Sequence, residues 1–273
     1  MDAAEPIPAA EEPVSDPAPK RRTAAPAISI VVPAYNEEER LPATIAAIRS
    51  YLNGQPWSWE LLVVDDGSSD GTAAAAREAL AGDDRCALLR NPKNRGKGAS
   101  IKRGMLAARG HLRLFTDADN STPIEELDRL LARRKKTDAG VLVASRALAE
   151  SQLEVRQPFY REAMGRTFNL LVQALAVPGV RDTQCGFKLF TAEAAEAVFP
   201  RQTMSGFSFD VEILFLARKY GFRIEEVPVR WINSPASRVS PIRDSAKMFL
   251  DVLRIRTRRY QPMDGKSVSR REA

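Results

Sequence analysis

The segment Ile28 to Val32 (ISIVV) is a β-branched run stopped by Pro33, and short apolar runs of the same kind return along the chain, each trailed by a helix-like segment. A run without polar alternation suits a strand buried on both faces. ELLVV (Glu60 to Val64), CALLR, HLRLFTD and AGVLVAS repeat the signal. Between the runs, Leu41, Ile45, Ile48 and Leu52 recur at helical spacing behind Asn36, which reads as a helix cap with Glu37, Glu38 and Glu39 in the first turn. An Ala-rich helix follows Gly71. A third helix has Ile101, Met105 and Ala108 inside and ends at Gly110, and a fourth takes Pro123 at its first position. This alternation predicts an α/β domain: an open, mostly parallel sheet flanked by helices on both faces. Ligands of such sheets bind beyond the carboxyl ends of the strands.

Past Arg146 the alternation loosens. A helical stretch from Phe159 to Ala176 is predicted, then strands in QCGFKLF and FRIEEVPVRW around a helix in FDVEILFLARKYG. PIRDSAKMFLDVLRIRTRRY is amphipathic, with Ile242, Ala246, Phe249 and Leu253 on one side and Arg254, Arg256, Arg258 and Arg259 crowding its end. Residues 1–27, rich in Ala, Pro and Glu without periodicity, read as a disordered tail. The expected organisation is therefore this tail, one domain over 28–232, and a loop, amphipathic basic helix and tail over 233–273.

The charge is +6 over 273 residues, which points to an anionic partner: nucleic acid, a phosphorylated substrate or a membrane surface. Basic residues without interleaved aromatics disfavour nucleic acid. Two distant cysteines, Cys86 and Cys185, give no disulfide framework and suit a reducing cytoplasm. The lone histidine, His111, reads as structural and excludes His-rich metal chemistry. The best membrane-span candidate, Ala163 to Val180, is interrupted by Arg166, Asn169 and Gln173.

In RLFTDADNSTP an apolar run ends in Asp117 and Asp119. Like charges so close must be relieved by a cation, a shared proton or solvent. Their company narrows the choice, because Pro33 to Glu37, Asp65 with Asp66, and the loop NPKNRGKG all fall at strand ends on one sheet edge. Carboxylates there can accept hydrogen bonds from base and ribose or hold a divalent cation against phosphate. Gly96 and Gly98 would let backbone amides approach an anion at a helix start, with Lys97 adding charge. GKGASI lacks the third glycine of the dinucleotide fingerprint and the Lys-Ser/Thr of the Walker pattern, which weakens oxidoreductase and nucleoside-triphosphatase readings. Each motif alone reads as a solvated turn; together they suit a nucleoside diphosphate.

VVPAYNEEERL, LLVVDDGSSDGT, NRGKGAS and TDADNSTP, in that order, resemble the nucleotide-sugar domain of family 2 glycosyltransferases, which are inverting enzymes of the Rossmann-like GT-A fold. ASR, DTQCGFKLF, FDVEILFLA, VPVRW and SRVSPIRDS resemble the dolichyl-phosphate β-glucosyltransferase branch more than its mannosyl relatives. The resemblance runs from Ile28 to about Arg258. It implies that Pro33, Tyr35, Glu37, Asp66, Lys97 and Ala118 hold the nucleotide sugar, that Asp117 serves the ribose and diphosphate, and that Asp119, with Asp117, binds Mg2+ or Mn2+. It further implies that Arg146 and Arg166 face the acceptor phosphate and that Arg238 closes over the donor from a loop. Asn120 and Ser121 replace the Leu-Gln of mannosyl relatives.

The implied reaction moves glucose from UDP-glucose to a polyprenyl (dolichyl-type) phosphate, with GDP-mannose as the competing donor. A phosphate acceptor arrives already ionised, so catalysis rests on positioning and charge neutralisation. A sugar-hydroxyl acceptor would need a base, for which Asp182 and Asp210 are the candidates; Asp210 otherwise caps the helix after it. A lipid acceptor also implies peripheral contact at the cytoplasmic membrane face through the Phe159 helix and the basic C-terminal helix, whose apolar sides alternatively pack on the core.

Overall fold

The protein is described here by a computed structural model covering residues 24–153, 169–170, 172–232 and 241–263. The strands are β1 (Ile28–Ala34), β2 (Trp59–Asp65), β3 (Cys86–Arg90), β4 (Leu112–Phe115), β5 (Val141–Ser145), β6 (Gln152–Leu153), β7 (Lys188–Thr191), β8 (Ile224–Pro228) and β9 (Arg230–Trp231). The helices are α1 (Leu41–Asn53), α2 (Thr72–Leu80), α3 (Lys97–Ala107), α4 (Leu127–Lys136), α5 (Ala192–Val198), α6 (Phe209–Lys219) and α7 (Pro241–Thr257), with helical residues also at 169–170 and 172–175.

Seven strands form one sheet in the order β3-β2-β1-β4-β7-β5-β8, and β6 pairs with β9 beside it. Six strands of the large sheet run the same way; β7 alone is antiparallel, to both β4 and β5. Every residue of β1, β2 and β5 is buried. Successive side chains go to opposite faces, as the pleat requires. Ile28, Ile30 and Val32 join α1, α2 and α4 through Leu41, Ile45, Ala76 and Leu130. Val31, Phe115 and Phe190 join α3, α5, α6 and α7 through Ile101, Val198, Phe209 and Ile255. The layers are those the strand–helix alternation predicts.

Local boundaries differ from expectation for identifiable reasons. Asn36 does not cap α1. It takes φ 53° and bridges to the β2 loop, its N–H donating to Ser68 Oγ (2.9 Å) and its Oδ1 accepting from Ser69 N (2.9 Å). The helix starts only at Leu41. α3 stops at Ala107 rather than Gly110, whose N–H donates to Ser29 Oγ (2.7 Å). Pro123 precedes a 3-10 turn (Ile124–Glu126) that leads into α4. Residues 24–27, expected within a disordered tail, are partly tied down: the carbonyls of Pro26 and Ala27 accept from His111 N (3.1 Å) and Leu112 N (3.0 Å). The rest of that expected tail lies outside the described residues, as does most of the predicted Phe159 helix.

The buried side of α7 is not the expected one. Val252 and Ile255 are fully buried, whereas Phe249 and Leu253, placed on the inner stripe by spacing, are exposed, together with Leu250. The side chains of Ile242 and Ala246 lie outside the described residues.

Candidate active site at the carboxyl edge

The in-register pairing of β1 with β2 and β4 brings Ala34, Asp65 and the residues after Phe115 to one edge. Because β7 runs backwards, its start lies there too, with Lys188 opposite Phe115. The reversal carries the preceding loop, Asp182 to Phe187, into a site otherwise built from parallel strand ends. Of this loop and strand the sequence singles out only Asp182; Gly186 and Lys188 carry no signal of their own, since β7 looks like any other strand in the chain.

The loops after β1 and β2 are laced together. Pro33 is buried within β1 and Tyr35 is exposed. Glu37 N–H donates to Thr72 Oγ1 (2.7 Å), and the Glu37 carboxylate receives Arg40 Nε (2.7 Å) and Nη2 (2.7 Å). Asp65 is buried and accepts from Ser68 N (3.1 Å) and Arg90 Nε (3.1 Å). Asp66 organises the next loop: it accepts from Asn91 Nδ2 (2.7 Å), Arg95 N (3.0 Å) and Gly96 N (2.8 Å).

In the glycine turn the amides of Arg95 and Gly96 serve the Asp66 carboxylate, and those of Gly98 and Ala99 donate to Ser205 O (2.8 and 3.3 Å). A Cβ on Gly96 would come within 2.4 Å of that same oxygen, and one on Gly98 within 2.6 Å of Phe209 Cβ. These glycines admit the Met204–Ser205 backbone, and what the turn delivers to the site is Lys97. Its Nζ lies 2.6 Å from Asp117 Oδ1.

Asp117 and Asp119 straddle Ala118, which is buried and whose carbonyl accepts Thr44 Oγ1 (2.7 Å). Asp119 Oδ1 accepts Ser121 N (3.0 Å) across Asn120, which takes φ 52°. On the far side of β7, Arg146 at the end of β5 grips Asp182: its own N–H (2.9 Å), Nε (2.8 Å) and Nη2 (2.9 Å) all donate to that carboxylate. Burial alone would raise the Asp182 carboxyl, but the guanidinium outweighs it and holds the group below the usual carboxylate range. Glu226 fixes the same loop by accepting Arg181 N (2.8 Å) and Asp182 N (2.9 Å). The Trp231 ring lies 5.3 Å from the guanidinium carbon of Arg146.

Asp210 does not cap α6, since the cap position is Ser208. Instead it pairs with Lys188, which is wholly buried and also donates to Cys185 O (2.7 Å). Burial pushes the Asp210 carboxyl up against the opposing pull of Lys188 and Lys97. Lys188 escaped the sequence reading because only the reversed strand brings it beside α6. Arg166 and Arg238 lie outside the described residues.

Residues 29–199 match the family model described as glycosyl transferase family 2. The chain belongs to that family. This glycosyltransferase is 38% identical over 242 residues to a dolichyl-phosphate β-glucosyltransferase of Dictyostelium discoideum, covering 85% of this chain and 74% of the relative. It is 35% identical over 243 residues to the Homo sapiens protein of the same name, covering 85% and 75%. The solved structures it resembles have the GT-A fold. Mannosyl-3-phosphoglycerate synthase from Rubrobacter xylanophilus superposes with TM-score 0.64 at 20% identity, covering 90% of this chain and 74% of that one. Glucosyl-3-phosphoglycerate synthase from Mycobacterium tuberculosis, described in complex with Mn2+, UDP and glucosyl-3-phosphoglycerate, gives 0.62 at 20% identity, covering 84% and 78%.

The glycosyltransferase's own residues fit a hard divalent cation. Asp117 and Asp119 offer carboxylate oxygens, and among the described residues no cluster of three or more His, Cys, Asp or Glu could enclose a metal without help. A cation that keeps water and substrate phosphate in its shell matches a two-carboxylate site. Among the described residues no helix is long and apolar enough to cross a membrane.

Proposed function

We propose that this glycosyltransferase moves glucose from UDP-glucose to a polyprenyl (dolichyl-type) phosphate, giving polyprenyl-phosphate β-glucose. The curated relatives' names support the acceptor and the sugar. The observation that carries the reading on this chain is the fate of the two candidate bases: Asp182 is bound to Arg146 and Asp210 to Lys188. A hydroxyl acceptor needs a free carboxylate to take its proton, whereas a phosphate monoester oxygen needs none.

In this reading Pro33, Tyr35, Glu37, Asp66, Lys97 and Ala118 surround the nucleotide, with Asp66 acting through the loop it organises. Asp119 and Asp117 would hold Mg2+ or Mn2+, and the cation would supply positive charge for the leaving diphosphate. Arg146, kept rigid by Asp182, presents its remaining edge to the acceptor phosphate, aided by Arg166. Arg238 serves the donor. An acceptor oxygen attacks the anomeric carbon from the face opposite the diphosphate, the C1–O bond to UDP breaks with its electrons leaving on the diphosphate, and the configuration inverts. Positioning by Arg146 and charge neutralisation by Lys97 account for the acceleration without a proton transfer. The exposed apolar residues and arginines of α7 suit peripheral contact with the cytoplasmic face of an anionic membrane.

Radiolabelled UDP-glucose, polyprenyl phosphate and Mg2+ or Mn2+ should yield a chloroform-soluble glycolipid that mild acid cleaves to free glucose. Label transferred only from GDP-mannose, or only to a sugar hydroxyl, would overturn the reading.

A further inference from the structure

Gly186 lies in the loop that the reversed strand brings to the site. Its φ is outside the left-handed region that favours glycine, so the backbone would accept any residue there. The obstacle is a neighbour. A Cβ at 186 would lie 2.0 Å from Asp117 Oδ2, 2.4 Å from its Cγ and 2.5 Å from its Oδ1. All three nearest atoms belong to one carboxylate, and it approaches the bare α-carbon with no room for a methyl group.

The loop cannot retreat to make that room. On either side of Gly186, Cys185 and Phe187 are buried. The Cys185 carbonyl is held by Lys188 Nζ (2.7 Å), and the Phe187 carbonyl by Ala144 N (3.0 Å). Asp117 is also held by Lys97 Nζ, 2.6 Å from Oδ1. The carboxylate is thus paired with an amine and set against a bare stretch of backbone, and a side chain at 186 must displace it.

We propose that Gly186 is a positioning residue: its missing side chain fixes where the Asp117 carboxylate stands and so sets the affinity of the site for a nucleoside diphosphate with its divalent cation. The proposal rests on the reading of Asp117 as a donor-side group. The loss of a residue that orients a metal or phosphate ligand typically costs about 10–100-fold in affinity.

The test is a double-mutant cycle with UDP and MnCl2 as probes, read by calorimetry and by the Mn2+ paramagnetic resonance signal, with melting temperatures recorded for each variant. Gly186→Ala is expected to weaken UDP binding in the presence of Mn2+ by about 10–100-fold. In an Asp117→Ala background the same change is expected to cost nothing further, and the double variant should melt like Asp117→Ala because the clash has lost its partner. Should Gly186→Ala itself fail to fold, the melting of the double variant still decides: a double variant as unstable as Gly186→Ala locates the cost in the loop and overturns the proposal. Wild-type binding by Gly186→Ala, with binding lost in Asp117→Ala, overturns it while sparing the donor-side reading. Unchanged binding in Asp117→Ala removes that reading and the proposal together.

Discussion

Arg146 and Asp182 stand 36 positions apart in sequence yet share two side-chain hydrogen bonds, and the pairing decides what each can do. An aspartate held by a guanidinium is a poor base and a good anchor. Asp182→Asn is therefore expected to raise the acceptor KM while leaving the donor KM near its wild-type value. The same pairing has a signature in stability. The folded Asp182 carboxyl titrates below its ordinary value, so its contribution is fully present above the unfolded pKa, near 3.9, and is lost as pH falls through the folded value. Urea midpoints measured between pH 6 and pH 3 should drop less steeply in Asp182→Asn than in wild type. Equal slopes would show that the pair contributes nothing. At this scale the sequence was readable where a residue's place follows from a strand end, as for Asp117, Asp119 and Arg146. It was not readable where the partner is brought by topology: Lys188 on Asp210, Gly186 against Asp117, and Ser205 over the glycine turn all join distant segments.

Among the elements, α7 shows how periodicity can find a helix and misplace its inner face. Phe249 and Leu253 share a stripe with Ile242 and Ala246 in sequence, but the core takes Val252 and Ile255. Ser208 Oγ donates to the buried Asp251 Oδ2 at 2.8 Å, which helps to set this rotation. A helix with apolar residues around more than half its circumference has two possible inward faces, and only its neighbours select one. Ile255→Ala should destabilise the domain by about 2–5 kcal/mol, as a cavity in a packed interior does. Phe249→Ser with Leu253→Ser should leave the melting temperature close to wild type and reduce sedimentation with vesicles containing anionic lipid. Full vesicle binding by that double variant would dissociate α7 from membrane contact. The strand runs were legible to within a few residues because burial on both faces leaves a continuous apolar signature, seen in β1, β2 and β5. Helix starts were less so, since polar residues such as Asn36 found partners in neighbouring loops instead of caps.

Across the whole molecule, the alternation of strands and helices predicted the layers but not the insertion of β7 between β4 and β5. No hydrophobic pattern distinguishes an antiparallel central strand from a parallel one when both are buried. The insertion divides the sheet into a sequence-local part, β3-β2-β1-β4, and a part, β5 with β8, that joins it only through β7. Long-range pairings of this kind close late because the intervening chain must first be ordered. Pulsed hydrogen exchange during refolding should protect the amides of β1 and β2 before those of β5 and β7. Protection of β5 first would contradict this order.

The same insertion bears on how the polypeptide is made. On a ribosome, the apolar segment Val141–Ser145 emerges well before Lys188–Thr191, the strand that links it to the earlier part of the sheet. At ordinary elongation rates the wait is about 2–10 s. Throughout it, an unpaired VLVAS segment is a template for wrong partners, which makes the nascent chain, rather than the finished enzyme, the form most dependent on chaperones.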